Sequence, residues 1–212
     1  MTEQRLGILG GMGPQATQVF YQYVLDRTEA SCDQEHLPAL ILSDTGVPDR
    51  TASILTGNTE PMYQRLLADA RLLEECGCTV IAIPCNTSHY FVDRIQQEIG
   101  IPILYMIRET ARTLVAQGKR RPAILATDGT IRTGLYQKEC AAFGLEAAPP
   151  EPAVQRLVMS IIYEEIKRGE RGSREKFAAI DRKVREMGPA GLAAHTVNKL
   201  IFTFGEGMYH AP

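Results

Sequence analysis

The sequence predicts an α/β protein built on parallel sheet. Short apolar runs alternate with helix-period segments along most of the 212 residues. The runs are almost continuously apolar, as strands covered on both faces must be. Each run ends in small, polar or hydroxyl residues, where ligands of parallel sheets bind.

The elements follow in order. Leu6 to Leu9 reads as a strand stopped by Gly10 and Gly11, and Pro14 suits the first turn of a helix to about Ala30. Leu37 to Ser43 is a second strand, with Asp44, Thr45 and Gly46 as its turn. Pro61 opens a helix to about Cys76, with Leu66, Leu67, Ala70 and Leu73 on one face. Thr79 to Pro84 is β-branched and reads as a buried strand, and Ser88 to Ile99 as a helix. Ile101 to Met106 and Pro122 to Ala126 are further strands, followed by helices over Arg108–Gln117 and Thr130–Phe143. Pro149-Pro150 marks a break before helices over Ala153–Arg168 and Ser173–Met187. Leu6-Gly7-Ile8-Leu9-Gly10-Gly11 is faintly echoed by Pro122-Ala123-Ile124-Leu125-Ala126-Thr127. That echo favours two similar lobes with strand ends facing a shared cleft over one doubly wound sheet.

Composition narrows the function classes. The formal net charge is −2, and the densest basic stretch is Lys119-Arg120-Arg121, so no nucleic-acid surface is expected. No apolar stretch approaches the roughly 18 residues of a membrane span, and the N-terminus lacks the shape of a signal peptide. The five cysteines are odd in number and irregular in spacing, which points to a reducing compartment without a disulfide framework or zinc knuckle.

Four strand ends carry chemistry. In Pro84-Cys85-Asn86-Thr87-Ser88-His89 a cysteine lies between a buried strand and a helix, where the helix field favours thiolate. Asn86, Thr87 and backbone N–H groups there can hold a carboxylate; the plainer reading is a small core cysteine beside a cap. Gly10-Gly11-Met12-Gly13-Pro14 lets a ligand approach the backbone. It also fits a loose dinucleotide pattern, with Asp44 as a ribose acid. Arg50, in Pro48-Asp49-Arg50-Thr51, could clamp a carboxylate through its fork of donors. Thr127-Asp128-Gly129-Thr130 is a polar turn whose plainer reading is capping by Asp128 or Thr130.

Taken together, these turns resemble the aspartate/glutamate racemase family over about residues 5–187. The resemblance rests on Gly-Ile-Leu-Gly-Gly-Met-Gly-Pro (7–14), Pro-Asp-Arg-Thr (48–51), Pro-Cys-Asn-Thr-Ser-His (84–89), Leu-Ala-Thr-Asp-Gly-Thr (125–130) with Gly134-Leu135-Tyr136, and Ile166-Lys167 before Gly169. Five motifs in order decide against the dinucleotide reading. The resemblance implies two α/β lobes related by a pseudo-twofold axis, with the active site between them. Residues 1–100 plus 190–212 would form the first lobe, and residues 101–189 the second. It implies a homodimer acting on a small acidic amino acid or dicarboxylate, with no pyridoxal phosphate, metal or nucleotide; the cysteine usage adds the expectation of a cytoplasmic protein. In that family one cysteine thiolate removes the α-proton and an opposed cysteine protonates the other face. Cys85 matches the first. Arg50 and Lys167 match the residues holding the side-chain carboxylate. Asn86, Thr87 and Thr130, with the Met12 turn, match the group around the α-carboxylate.

One departure stands out. No cysteine follows Cys140, and the best local fit puts His195 where the second family cysteine belongs. Imidazole can serve as an acid/base near neutrality, so His195 is the candidate replacement. The other expectations are a one-cysteine relative that isomerises or decarboxylates a small diacid, or a member that only binds acidic ligands.

Overall fold

The computed structural model describes residues 4–186. His195 and the tail after Glu186 lie outside the described residues. The chain divides into two compact units, one ending at Met106 and the other starting at Ile107.

The first unit is organised on a four-stranded sheet of order β2-β1-β3-β4, with every neighbouring pair parallel. The strands are β1 (Leu6–Gly10), β2 (Ala39–Ser43), β3 (Val80–Ala82) and β4 (Ile103–Leu104). Central β1 is buried at all five positions, and Leu6 lies opposite both Ala39 and Val80. Its alternate side chains serve opposite faces. Leu6 and Ile8 pack with Phe20, Tyr21 and Val24 of α1 (Pro14–Arg27). Leu9 packs with Met62, Leu66 and Leu73 of α3 (Glu60–Glu75) and with Ile95 of α4 (Val92–Gln96). Burying each such side chain contributes roughly 1.5–3 kcal/mol. Edge strand β2 differs from expectation: Leu40 and Ile41 are exposed rather than covered.

The strands are shorter than their apolar runs. β3 stops before Pro84, which has no N–H to donate to a ladder. A helix absent from the sequence reading, α2 (Arg50–Thr56), is capped by the Asp49 carboxylate accepting from the Ala52 N–H at 2.8 Å. Its seven residues are too few to display a period, although Asp49 and Gly57 frame it as a cap and a left-handed stop.

The second unit carries α5 (Met106–Ala116, its first residue belonging to the first unit), α6 (Asp128–Thr133), α7 (Leu135–Ala142), α8 (Pro152–Ser160) and α9 (Arg174–Glu186). The strand expected at Pro122–Ala126 is reduced to one parallel bridge between Ala123 and Ala148, although Ala123 to Ala126 are all buried. Pro122, Pro149 and Pro150 lack the donors that would lengthen the ladder. The helix expected over 130–143 is split by Gly134, whose φ of 67° an α-helix cannot absorb. The helix expected over 153–168 changes winding. After α8 it passes through a π turn over Ile161–Glu165 and a 3-10 turn over Ile166–Arg168, ending at Gly169 with φ 82°. Leu125, Val154, Val158, Ile161, Ile180 and Val184 form one core, and Ala111, Leu114, Cys140 and Leu145 another. Among the described residues, no helix is long and apolar enough to cross a membrane.

Candidate active site

In the first unit β2 lies on one side of β1 and β3 on the other. Connections leaving a parallel sheet in opposite directions open a crevice at the carboxyl ends of the diverging strands. The turns at that point are Gly11-Met12-Gly13 after β1 and Ile83-Pro84-Cys85 after β3.

The two turns are tied together. Buried Ser88 donates its hydroxyl to the Met12 sulfur at 3.2 Å. The Met12 carbonyl accepts from Arg50 Nη2 at 3.2 Å, while Arg50 Nη1 donates to the carbonyls of Val47 at 3.1 Å and Pro48 at 3.2 Å. Arg50 thus fastens the loop after β2 to the Met12 turn. These bonds engage at most three of the five guanidinium N–H groups, so the fork keeps donors for a ligand. On the far side of the Met12 turn, Thr17 Oγ1 accepts from the Gly11 N–H at 2.9 Å and donates to the Gly13 carbonyl at 3.2 Å. Gly10 must be glycine for this: an added Cβ would lie 2.3 Å from the Thr17 methyl.

Cys85 is a free, half-buried thiol packed at the margin of the main core. Its N–H bonds the Ile83 carbonyl at 2.7 Å, a three-residue turn around Pro84 that swings the chain off the sheet. The α-helix expected over 88–99 is instead a 3-10 turn over Thr87–Phe91 followed by α4. A tight five-residue turn supplies less aligned dipole than an α-helix, so the helix field expected at Cys85 is weaker. Asn86 stands at the head of that turn, its carbonyl accepting the His89 N–H at 3.1 Å and its side chain making no cap, and Thr87 and Ser88 are buried within it. Cys78 and Cys140 are buried. Burial, helped by the Glu139 charge, pushes the Cys140 thiol up to about 11, and the residue is packed in the core with Ala111, Leu114 and Leu145.

Asp44, the acid a ribose would need, is occupied otherwise. Its carboxylate is gripped by Arg65 and accepts the Gly46 N–H, which holds it at about 2. Beside it, burial and the Asp44 charge push Asp69 up to about 6.

The second unit holds Thr130 and Lys167. Thr130 is buried, and the cap of α6 is Thr127, whose hydroxyl accepts the Thr130 N–H; neither Asp128 nor Thr130 plays that part. Gln155 of α8 braces this turn by donating to the Ala126 carbonyl at 2.9 Å and to Asp128 Oδ1 at 2.7 Å. Exposed Lys167 lies in the 3-10 turn beyond α8, its Nζ 3.7 Å from the centre of the Tyr163 ring. Met12, Arg50, Asn86, Thr87 and Cys85 therefore share the first unit, while Thr130 and Lys167 belong to the second.

The Asp/Glu/Hydantoin racemase family profile matches residues 9–193. The chain belongs to that family. Its relatives include the broad specificity amino-acid racemase RacX of Bacillus subtilis (strain 168), 31% identical over 166 residues, which cover 74% of this chain and 70% of that protein. A glutamate racemase of Lysinibacillus sphaericus is 34% identical over 71 residues, covering 32% of this chain and 27% of its own length. Two solved structures share the fold: the Picrophilus torridus aspartate racemase (TM-score 0.67, 24% identity, 93% of this chain and 74% of that one) and an aspartate racemase homologue from Pyrococcus horikoshii OT3 (TM-score 0.69, 24% identity, 87% and 81%). The parallel-sheet α/β architecture is thus that of the Asp/Glu racemases.

Within this family fold, some supporting residues had no sequence signal of their own. Thr17 reads as an ordinary helix residue until its hydroxyl is seen closing the Met12 turn. Thr127 could have been recognised, since a threonine three residues before Thr130 is a capping pattern. Tyr163 meets Lys167 at the i, i+4 spacing that lets helical side chains touch.

Proposed function

We propose that this racemase-family protein interconverts the enantiomers of aspartate or glutamate without a cofactor, with Cys85 as one acid/base at the α-carbon. The observation that carries the reading is the half-buried Cys85 at the β1/β3 switch point, flanked by the turn that Arg50 and Ser88 brace. An α-proton is very weakly acidic, so its removal depends on fixed donors that stabilise the developing carbanion. A positioned base adds about 10²–10⁴-fold. Arg50 and Lys167 supply charge for the side-chain carboxylate. Asn86, Thr87, Thr130 and the Met12 turn supply donors for the α-carboxylate. His195 is the proposed second acid/base, and the active form is proposed to be a cytoplasmic homodimer.

The test is exchange of the α-hydrogen of aspartate or glutamate with solvent deuterium. Exchange in the native chain and its loss in Cys85→Ala support the proposal. Absence of exchange with either amino acid overturns it. His195→Ala should abolish racemisation while leaving exchange with retention at one face; unchanged racemisation removes His195 from the mechanism.

The burial of Cys140, and a histidine where the second family cysteine belongs, favour one alternative, a one-cysteine member that binds, isomerises or decarboxylates a small dicarboxylate. It predicts that aspartate or a related diacid raises the melting temperature while racemisation is absent.

A further inference from the structure

His89 ends the Pro84–His89 motif, and the proposed chemistry gives it no part. It is 1% exposed, and its ring lies 5.4 Å from that of Tyr105. Its two nitrogens face different partners. The Met106 N–H, the first donor of α5, points at Nε2 from 3.1 Å. The Cys85 carbonyl lies 2.9 Å from Nδ1. A backbone N–H can only donate, so Nε2 carries a lone pair; a carbonyl can only accept, so Nδ1 carries the proton. Both neighbours select the same tautomer. Burial pushes the ring pKa down and keeps it neutral; the carbonyls of Cys85 and Leu104 oppose this, but Nε2 is already taken by Met106. The Cys85 N–H is fixed by Ile83 and the Cys85 carbonyl by His89, so the peptide groups on both sides of the thiol-bearing carbon are held.

We infer that His89 is a positioning residue for Cys85, its Nδ1–H tautomer bracing the Cys85 carbonyl against the first N–H of α5. This rests on reading Cys85 as an acid/base. Misplacing a reacting group by about 1 Å costs on the order of 100-fold in rate.

Two variants separate the two bonds. His89→Asn keeps an amide N–H where Nδ1 stands and loses the acceptor for Met106. His89→Gln keeps an oxygen acceptor where Nε2 stands and loses the donor to Cys85. Three quantities are read in the full chain: kcat and KM for α-hydrogen exchange, site-resolved alkylation of Cys85 by iodoacetamide, and melting temperature. In His89→Gln, kcat should fall on the order of 100-fold with KM within about twofold, and Cys85 alkylation should depart from the native rate. In His89→Asn, the native alkylation rate and most of kcat should return. Equal losses in both variants, or losses that follow melting temperature alone, overturn the inference. Alkylation needs no substrate, so it decides the role of His89 even where the native chain shows no exchange and the racemase reading fails. Should His89→Gln not fold, ¹⁵N spectra of native His89 decide: an Nδ1–H tautomer supports the inference, and an Nε2–H tautomer overturns it.

Discussion

The hydroxyl of Ser88 donates to the sulfur of Met12 at 3.2 Å, a buried bond that joins the turn after β3 to the turn after β1. Seventy-six residues separate the two in sequence. Ser88→Ala removes the donor and leaves a weak thioether acceptor unpaired. We expect a stability loss of about 1 kcal/mol in urea unfolding, with a larger fall in kcat than in substrate affinity. An unchanged kcat would show that the two turns keep their spacing without this bond.

Thr17 makes two bonds to the Met12 turn through one oxygen. Thr17→Val preserves shape but strands the buried Gly11 N–H. The expected cost is about 1–3 kcal/mol, read as a lower urea midpoint at constant slope. Thr17→Ser keeps the hydroxyl and should recover most of the loss.

Arg50 donates to three backbone carbonyls that a lysine cannot reach together. Arg50→Lys keeps the charge and loses the fork. The expected result is a rise in KM for the acidic substrate of at least about tenfold, the scale of one lost charge-assisted bond, with a smaller change in kcat. A native KM would show that the fork of Arg50 is not what holds the substrate carboxylate.

Asp69 sits beside Asp44 with one buried oxygen that has no donor among the described residues. Its folded pKa, about 6, is above the ordinary carboxylate value, because burial and the Asp44 charge disfavour ionisation. The folded state therefore binds more protons than the unfolded state between about pH 4 and 6, and stability contributed here falls as pH rises through that window. Asp69→Asn removes the penalty and can donate to Asp44. It should stabilise the protein by about 2 kcal/mol at pH 7–8 and lose that advantage near pH 4. Melting temperatures of both proteins across pH 4–8 check the sign, and a gain confined to acid would refute it.

Much of the fold was legible because parallel strands buried on both faces must be apolar throughout. The runs at Leu6, Leu37, Thr79 and Ile101 all contain strands of the sheet. The run at Pro122 carries the same signal, yet only Ala123 pairs. Burial was readable there; pairing was not, because it depends on donors in a distant segment that ends in Pro149 and Pro150. Gly134 was readable as part of a family motif inside an expected helix, but its positive φ splits that helix, which propensity alone would continue.

The sequence by itself determined the family, the parallel α/β class and the motif residues, Cys85 and Arg50 foremost, because those depend on residue type and local order. Tertiary structure decided how these residues are held. Arg50 spends donors on Val47, Pro48 and Met12, Ser88 reaches Met12, and His89 spans from Cys85 to Met106. Such bonds join turns that strand order brings side by side, and that order is set by hydrophobic packing over the whole unit rather than by any short stretch of chain.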